Sequence, residues 1–264
     1  MAHVLAVSNQ KGGVGKTTTA INLAAALALQ NVRVLLIDLD PQGNASSGVG
    51  RPRDAAQSGI FDVLVDDLDP HEAMVDTVVE NLSLLPATRD LVGAEIEMVN
   101  LESRERRLAK ALDKLHGEFD WILIDCPPSL GLLTLNALTA ADTVLIPLQA
   151  EYYAMEGLSD LFHTVQVVRQ HLNPALERAG VLVTMSDGRN RLSREVERQA
   201  RKHLQGEVFH TVIPRNVRLG EAPSHGLPAV IYDSNCSGSR AYGALAGELL
   251  LRLASGPVRA VGGL

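Results

Sequence analysis

The sequence predicts a doubly wound α/β protein, a mostly parallel β-sheet flanked by helices. Three observations carry this. Apolar runs rich in Val, Ile and Leu alternate with helical patterns almost to the C-terminus, which is the rhythm of strands joined by crossover helices. The runs are continuously apolar rather than alternating, as strands covered on both faces are. A glycine-rich loop, Lys11 to Thr18 (KGGVGKTT), stands directly between the first run and the first helical stretch.

In chain order, the run 3–8 (HVLAVS) reads as a buried strand, and the Ala- and Leu-rich stretch 18–30 as a helix. The run 33–38 (RVLLID) is the second strand, turned at its end by Pro41 and Gly43. Residues 48–69, with their Gly, Pro, Arg and Asp, read as loop with one short helix. A strand at 82–87, a helix at 101–116 and a strand at 119–125 follow, then a helix at 132–140 and a strand at 143–148. The remaining predicted helices are 155–171, 192–204 and 239–254, and the remaining strands 181–186, 208–213 and 229–232. Residues 1–254 are expected to form one domain, and 255–264, with Gly256, Pro257, Gly262 and Gly263, a frayed tail.

Composition narrows the class. Apolar residues are 46% of the 264 and aromatic residues 3%, so the core is expected to be Val, Leu, Ile and Ala. Cys126 and Cys236 form neither a disulfide framework nor a C-x-x-C pair, which suits a reducing compartment. Lys11 and the glycines interrupt any signal-peptide core, and Asn136, Asp142 and Pro147 interrupt the most apolar long stretch, 130–150. A cytoplasmic protein without membrane association is expected. The net charge of −7 argues against a surface that coats nucleic acid as a whole, yet leaves room for a local basic patch.

A glycine loop between strand and helix is a phosphate cradle. The backbone N–H groups of Gly12, Gly13, Val14, Gly15, Lys16 and Thr17 can surround phosphate oxygens at the positive end of the helix, where Thr18 follows. Lys16 would reach the β- and γ-phosphates of a nucleotide and the Thr17 hydroxyl would ligate Mg²⁺. Asp38 and Asp40 leave the second strand end at i and i+2, and alone they describe a polar terminus. Beside the loop, they supply the carboxylate that a phosphate-hydrolysing site needs to orient water. The strand 119–125 leads through four apolar residues to Asp125, which would hold Mg²⁺ through water, and Pro127–Pro128 stiffen the turn after it. Cys126 reads as a small buried hydrophobe. No N-K-x-D guanine-reading motif is present, so ATP is expected rather than GTP.

Residues 188–202 (GRNRLSREVERQARK) carry Arg189, Arg191, Arg194, Arg198, Arg201 and Lys202 against Glu195 and Glu197. Arg194, Arg198 and Arg201 fall on one helical face. Taken alone, this is a solvated helix with Glu–Arg pairs. Arg215 and Arg218 follow in an otherwise acidic chain, and together these residues suit phosphate contacts on duplex DNA. Scarce aromatics disfavour stacking on single strands.

The loop departs from G-x-x-x-x-G-K-[ST], with Gln10 where a glycine is usual and an added lysine at position 11. In this it resembles the deviant loop of the ParA/MinD ATPase family. The resemblance runs through NQKGGVGKTT, DLDPQGNAS, LLPAT, DCPPSL, QAEYYAMEGL and IPRNVRLGEAPS. It implies that Lys11 crosses a homodimer interface to the partner's nucleotide. It gives Asp40 the attacking water, and places Asp38 near the Mg²⁺ shell. It also implies that Pro214 packs on adenine with Asn216 at the base edge, Met185 either covering the other face or filling core. Nitrogenase iron proteins share the loop but hold a cluster with cysteines, an arrangement that Cys126 and Cys236 do not give. The implied function is that of a ParA/Soj-type partition ATPase: an ATP-dependent dimer, nucleoid-associated through non-specific DNA binding and stimulated by a ParB-type partner. The loop begins at residue 11, so no N-terminal winged helix is expected. The alternatives are a MinD-like regulator of division-site placement, which needs a C-terminal amphipathic anchor that SGPVRAVGGL does not resemble, and a metabolic P-loop synthetase.

Overall fold

The computed structural model describes residues 2–52, 55–151 and 156–254. The expected tail, 255–264, and the start of the expected helix at Met155 lie outside them.

A seven-stranded sheet organises the chain. Its strands are β1 (His3–Val7), β2 (Val34–Asp38), β3 (Val75–Asp76), β4 (Leu82–Leu85), β5 (Trp121–Asp125), β6 (Thr143–Gln149) and β7 (Glu177–Thr184). They lie in the order β3-β4-β2-β5-β1-β6-β7. All neighbours are parallel except the antiparallel β3–β4 pair. The longer helices are α1 (Lys16–Ala28), α2 (Arg107–Asp113), α3 (Leu132–Ala140), α4 (Glu156–His171), α5 (Arg191–His203) and α6 (Ser237–Ala254).

Alternate side chains leave the two faces of each strand, and both faces are covered. Val4, Ala6, Ile37 and Ile124 enter one core with residues of α2 to α5. Leu5, Val7, Leu36 and Leu123 enter a second core under α1 and α6. Burial on both sides is why the strands read as unbroken apolar runs. From β1 the chain crosses β5 to reach β2 on one side, while β6 and β7 build the other side. The carboxyl ends at this switch point are where an open α/β sheet binds its ligand.

Three expectations need correction. The run 208–213 is not a strand. Phe209 and Ile213 donate to β7 at Val181 and Val183, but between them the N–H groups of His210 and Thr211 turn to the Glu248 carboxylate. The ladder is interrupted, and only isolated bridges remain. Residues 229–232 form a helical turn, in which Tyr232 N–H donates to Pro228 C=O, and Asn22 accepts the Val230 N–H. A four-residue apolar run cannot separate strand from buried helix by its period. Finally, the helix at 101–116 shrinks to α2. Ser103 is left-handed (φ 51°), and Asn136 from α3 caps the new start by accepting from Leu108 N–H.

Candidate phosphate-binding site

The site is assembled by strand register. Asp38 of β2 stands directly beside Asp125 of β5, which in turn pairs with Val7 of β1. Two carboxylates and the glycine loop therefore leave the same carboxyl end of the sheet.

The loop owes its shape to two glycines in the left-handed region, Gly13 (φ 75°) and Gly15 (φ 89°), the latter at the N-cap of α1. A Cβ placed on Gly12 or Gly13 would meet nothing within 4 Å, so the concave side of the loop is open. Two residues that sequence reasoning passed over hold it. The Asn9 side chain donates to Pro147 C=O (2.7 Å) and accepts from Lys11 N–H (3.0 Å). Thr184, the last residue of β7, donates its hydroxyl to Val14 C=O (2.8 Å). Asn9 heads the string NQKGGVGKTT without a role readable from it, Thr184 lies in no motif, and the sheet order brings β6 and β7 to the loop.

Lys16 is buried, and its Nζ donates to Lys11 C=O (3.2 Å), folding the amine over its own loop. Burial pulls this amine below the usual lysine range, and Asp125 and Asp40 partly restore it. Thr17 and Thr18 sit in the first turn of α1. Asp125 is fully buried, and neither carboxylate oxygen accepts a hydrogen bond of regular geometry. Burial raises its pKa well above the carboxylate range, as do Asp38 and Asp40, while the Thr17 hydroxyl and Lys16 hold it down. Burial likewise drives the neighbouring Cys126 thiol upward, which keeps it protonated and inert.

Asp38 has a different surrounding. Its Oδ2 accepts from both the N–H and the hydroxyl of Ser46, each at 2.7 Å, and its Oδ1 from Asp40 N–H at 3.3 Å. Burial raises its pKa to about 6 against these donors. Asp40 is buried, and its Oδ1 accepts from Gln42 N–H (2.9 Å), closing the turn into the short helix Asn44–Gly48.

A cleft of about 460 Å³ opens beside the loop, lined among others by Lys11, Glu151, Met185, Asn190 and Arg215. Glu151 lies between two cations, 3.9 Å from Lys11 Nζ and 3.9 Å from Arg215. Met185 has a left-handed backbone (φ 52°), uncommon for a side chain of this size. Its methyl group comes within 3.8 Å of the Cβ position of Gly15. Pro214 bridges to Ser186 on the adjoining segment. Asn216 caps the turn Val217–Glu221 by accepting from Arg218 N–H, and gives one amide hydrogen to Ser237. Among the described residues the second hydrogen on that amide is left for another acceptor.

The expected basic residues differ in how far neighbouring groups meet their charge. Arg191, Arg194 and Lys202 on α5 are exposed and make no ion pair among the described residues. Arg189 pairs with Asp187, and Arg198 with Glu195. Arg201 is turned inward, bonded to Glu197 and to the carbonyls of Phe209 and His210. Arg218 is enclosed by Glu221 (2.6 Å) and Asp233 (3.4 Å). Arg215, beside the cleft, is exposed. The positive charge least compensated by neighbouring acids is therefore on α5.

Comparison with known proteins gives the family and the fold. The sequence model described as an AAA domain matches residues 2–178. The sporulation initiation inhibitor protein Soj of Bacillus subtilis is 53% identical over 249 residues, covering 94% of this chain and 98% of Soj. The chromosome partitioning protein ParA of Myxococcus xanthus is 52% identical over 252 residues, covering 96% of this chain and 89% of ParA. Among solved structures, a cobyrinic acid a,c-diamide synthase from Mycobacterium smegmatis with bound ADP and magnesium superposes with a TM-score of 0.86. It is 41% identical, and the match covers 97% of each chain.

Proposed function

The chain belongs to the Soj/ParA family of chromosome-partitioning ATPases, and from that premise we propose that it hydrolyses ATP to switch a homodimer on and off duplex DNA. The observation that carries the nucleotide half is Asp125: two buried carboxylate oxygens without regular hydrogen bonds, beside Thr17 and Lys16 at the edge of an open glycine loop. A buried carboxylate is held by a donor, a cation or a proton, so this donor set fits Mg²⁺ held by Thr17 and, through water, by Asp125. Magnesium bound there would neutralise charge on the β- and γ-phosphates. Lys16 exchanges its bond to Lys11 C=O for phosphate oxygens, and the N–H groups of 12–17 surround them. Asp40 orients water for attack. Lys11 leaves Glu151 to reach the nucleotide of the partner protomer. Pro214 and Met185 flank adenine, and the free amide hydrogen of Asn216 suits its edge.

The DNA half rests on α5. Arg191, Arg194 and Lys202 are exposed, with no acid within ion-pair distance among the described residues. Pairing two such helices in a dimer doubles the phosphate contacts. A ParB-type partner that stimulates hydrolysis, and a nucleoid-associated place in the cytoplasm, follow from the same family reading. Residues 1–254 act as one unit. The defining experiment is duplex binding with ATP, ADP and no nucleotide, with anionic vesicles as a second arm. Binding to random-sequence duplex in ATP alone supports the proposal, whereas ATP-dependent vesicle binding without DNA binding would favour the MinD-like reading. The synthase likeness is tested by adding cobyrinic acid to an ATP-turnover assay, where the rate should be unchanged.

The order of importance among the arginines is reversed from what motif likeness gives. Arg218 lies in the more family-like string, but its charge is already met by Glu221 and Asp233. Arg194→Glu should therefore weaken duplex binding for all sequences and flatten the salt dependence, the slope falling by about one for each phosphate no longer neutralised. Arg218→Glu should do less. ATP affinity, measured by calorimetry, should be unchanged in the Arg194 variant.

A further inference from the structure

The oxygens of Asp38, expected near the metal, are engaged by the protein itself. Oδ1 receives the N–H of Asp40, two residues along the chain, and Oδ2 receives the backbone and hydroxyl of Ser46, eight residues along. One carboxylate thus closes both ends of the segment that carries Asp40. Ser46 has no exposed surface. Its hydroxyl proton points to Asp38, and its oxygen accepts Ala87 N–H at 3.1 Å. Ala87 follows β4, so a single hydroxyl ties the end of β2, the helix Asn44–Gly48 and the exit of β4.

We propose that Ser46 is a positioning residue for hydrolysis, fixing Asp40 through Asp38 rather than touching nucleotide or metal. A buried serine satisfying itself needs only one partner. Here donor and acceptor are both committed, in directions set by two strands, and the bonds to Asp38 are charge-assisted and short. Within the segment, Gln42 N–H donates to the Asp40 carboxylate and Gly43 N–H to the Asp40 carbonyl. Without the hydroxyl, Asp38 keeps two backbone donors and the segment 40–46 loses its tie to β4. Misplacing a water-orienting carboxylate by even an ångström slows the chemical step and spares substrate binding. The exit of β4 becomes an element whose displacement is transmitted to Asp40.

This rests on the assignment of Asp40 to water, and the experiment separates the two. Single-turnover ATP hydrolysis is measured with excess enzyme for wild type, Ser46→Ala, Asp40→Ala and the double variant. ATP affinity and ATP-dependent dimerisation are measured beside it, and a cooperative thermal melt checks folding. Ser46→Ala should slow hydrolysis roughly 10- to 100-fold with ATP affinity and dimerisation kept. In the Asp40→Ala background the same change should have no further effect. Slower hydrolysis in the double variant than in Asp40→Ala would mean that Ser46 acts apart from Asp40, and the proposal falls alone. Wild-type hydrolysis by Ser46→Ala also overturns it. Wild-type hydrolysis by Asp40→Ala removes the Asp40 assignment, and this proposal with it. If Ser46→Ala does not fold, Ser46→Cys enters the same cycle, since a thiol fills the site but donates and accepts only weakly, and the same pattern is required of it.

Discussion

Replacing Lys16 with alanine should abolish measurable ATP binding. The amine is buried at the edge of the loop and donates to the carbonyl of Lys11. With nucleotide present it would meet two phosphates, and charge-assisted hydrogen bonds of this kind contribute about 1.5–3 kcal/mol each. Losing two corresponds to an affinity loss on the order of 100-fold or more. The glycine loop itself should survive, because it is pinned by Asn9 to Pro147 and by Thr184 to Val14, bonds in which Lys16 takes no part. Titration calorimetry with ATP and Mg²⁺ reads the loss, and a thermal melt reads the intact fold. Undiminished affinity in a folded variant would mean that the nucleotide sits elsewhere.

Much of this site is legible in the sequence because its residues are local. Loop, strand end and carboxylate each occupy a short string: KGGVGKT, DLDP and ILIDCPP. Each string contains or closely follows the strand end that positions it, so its context can be read without the fold. The expected strand at 208–213 is lost for a non-local reason. Glu248 on α6 takes the N–H groups that residues 208–213 need for a ladder, and no window around 210 contains Glu248. Asn136 on α3 decides where α2 begins. The clamps on the loop, Asn9 and Thr184, have the same character, since their partners are 138 and 170 residues away. The basic helix shows the limit differently. Spacing places Arg194, Arg198 and Arg201 on one face, but whether a guanidinium is free depends on which acids and carbonyls the fold sets beside it. Arg201 is engaged by the carbonyls of 209 and 210, and Arg194 stays exposed.

Asp40→Ala should separate binding from chemistry. The change removes the carboxylate assigned to water and leaves Lys16, the loop amides and Asp125 in place. ATP should therefore bind with near wild-type affinity while hydrolysis falls about 10²- to 10⁴-fold, the range of a lost general base. A protein that binds ATP and cannot hydrolyse it should accumulate in its ATP state, which makes this variant the right background for Lys11. That side chain is half-exposed and 3.9 Å from Glu151, a weak pairing of solvated groups that a phosphate would outcompete. If Lys11 serves the partner's nucleotide, light scattering after size exclusion should find Asp40→Ala dimeric with ATP and monomeric without it. Adding Lys11→Ala should return it to monomer with ATP still bound. A double variant that stays dimeric would confine Lys11 to its own loop, and normal hydrolysis by the single variant would take the water from Asp40. The two results are independent, because one is read from mass and the other from turnover.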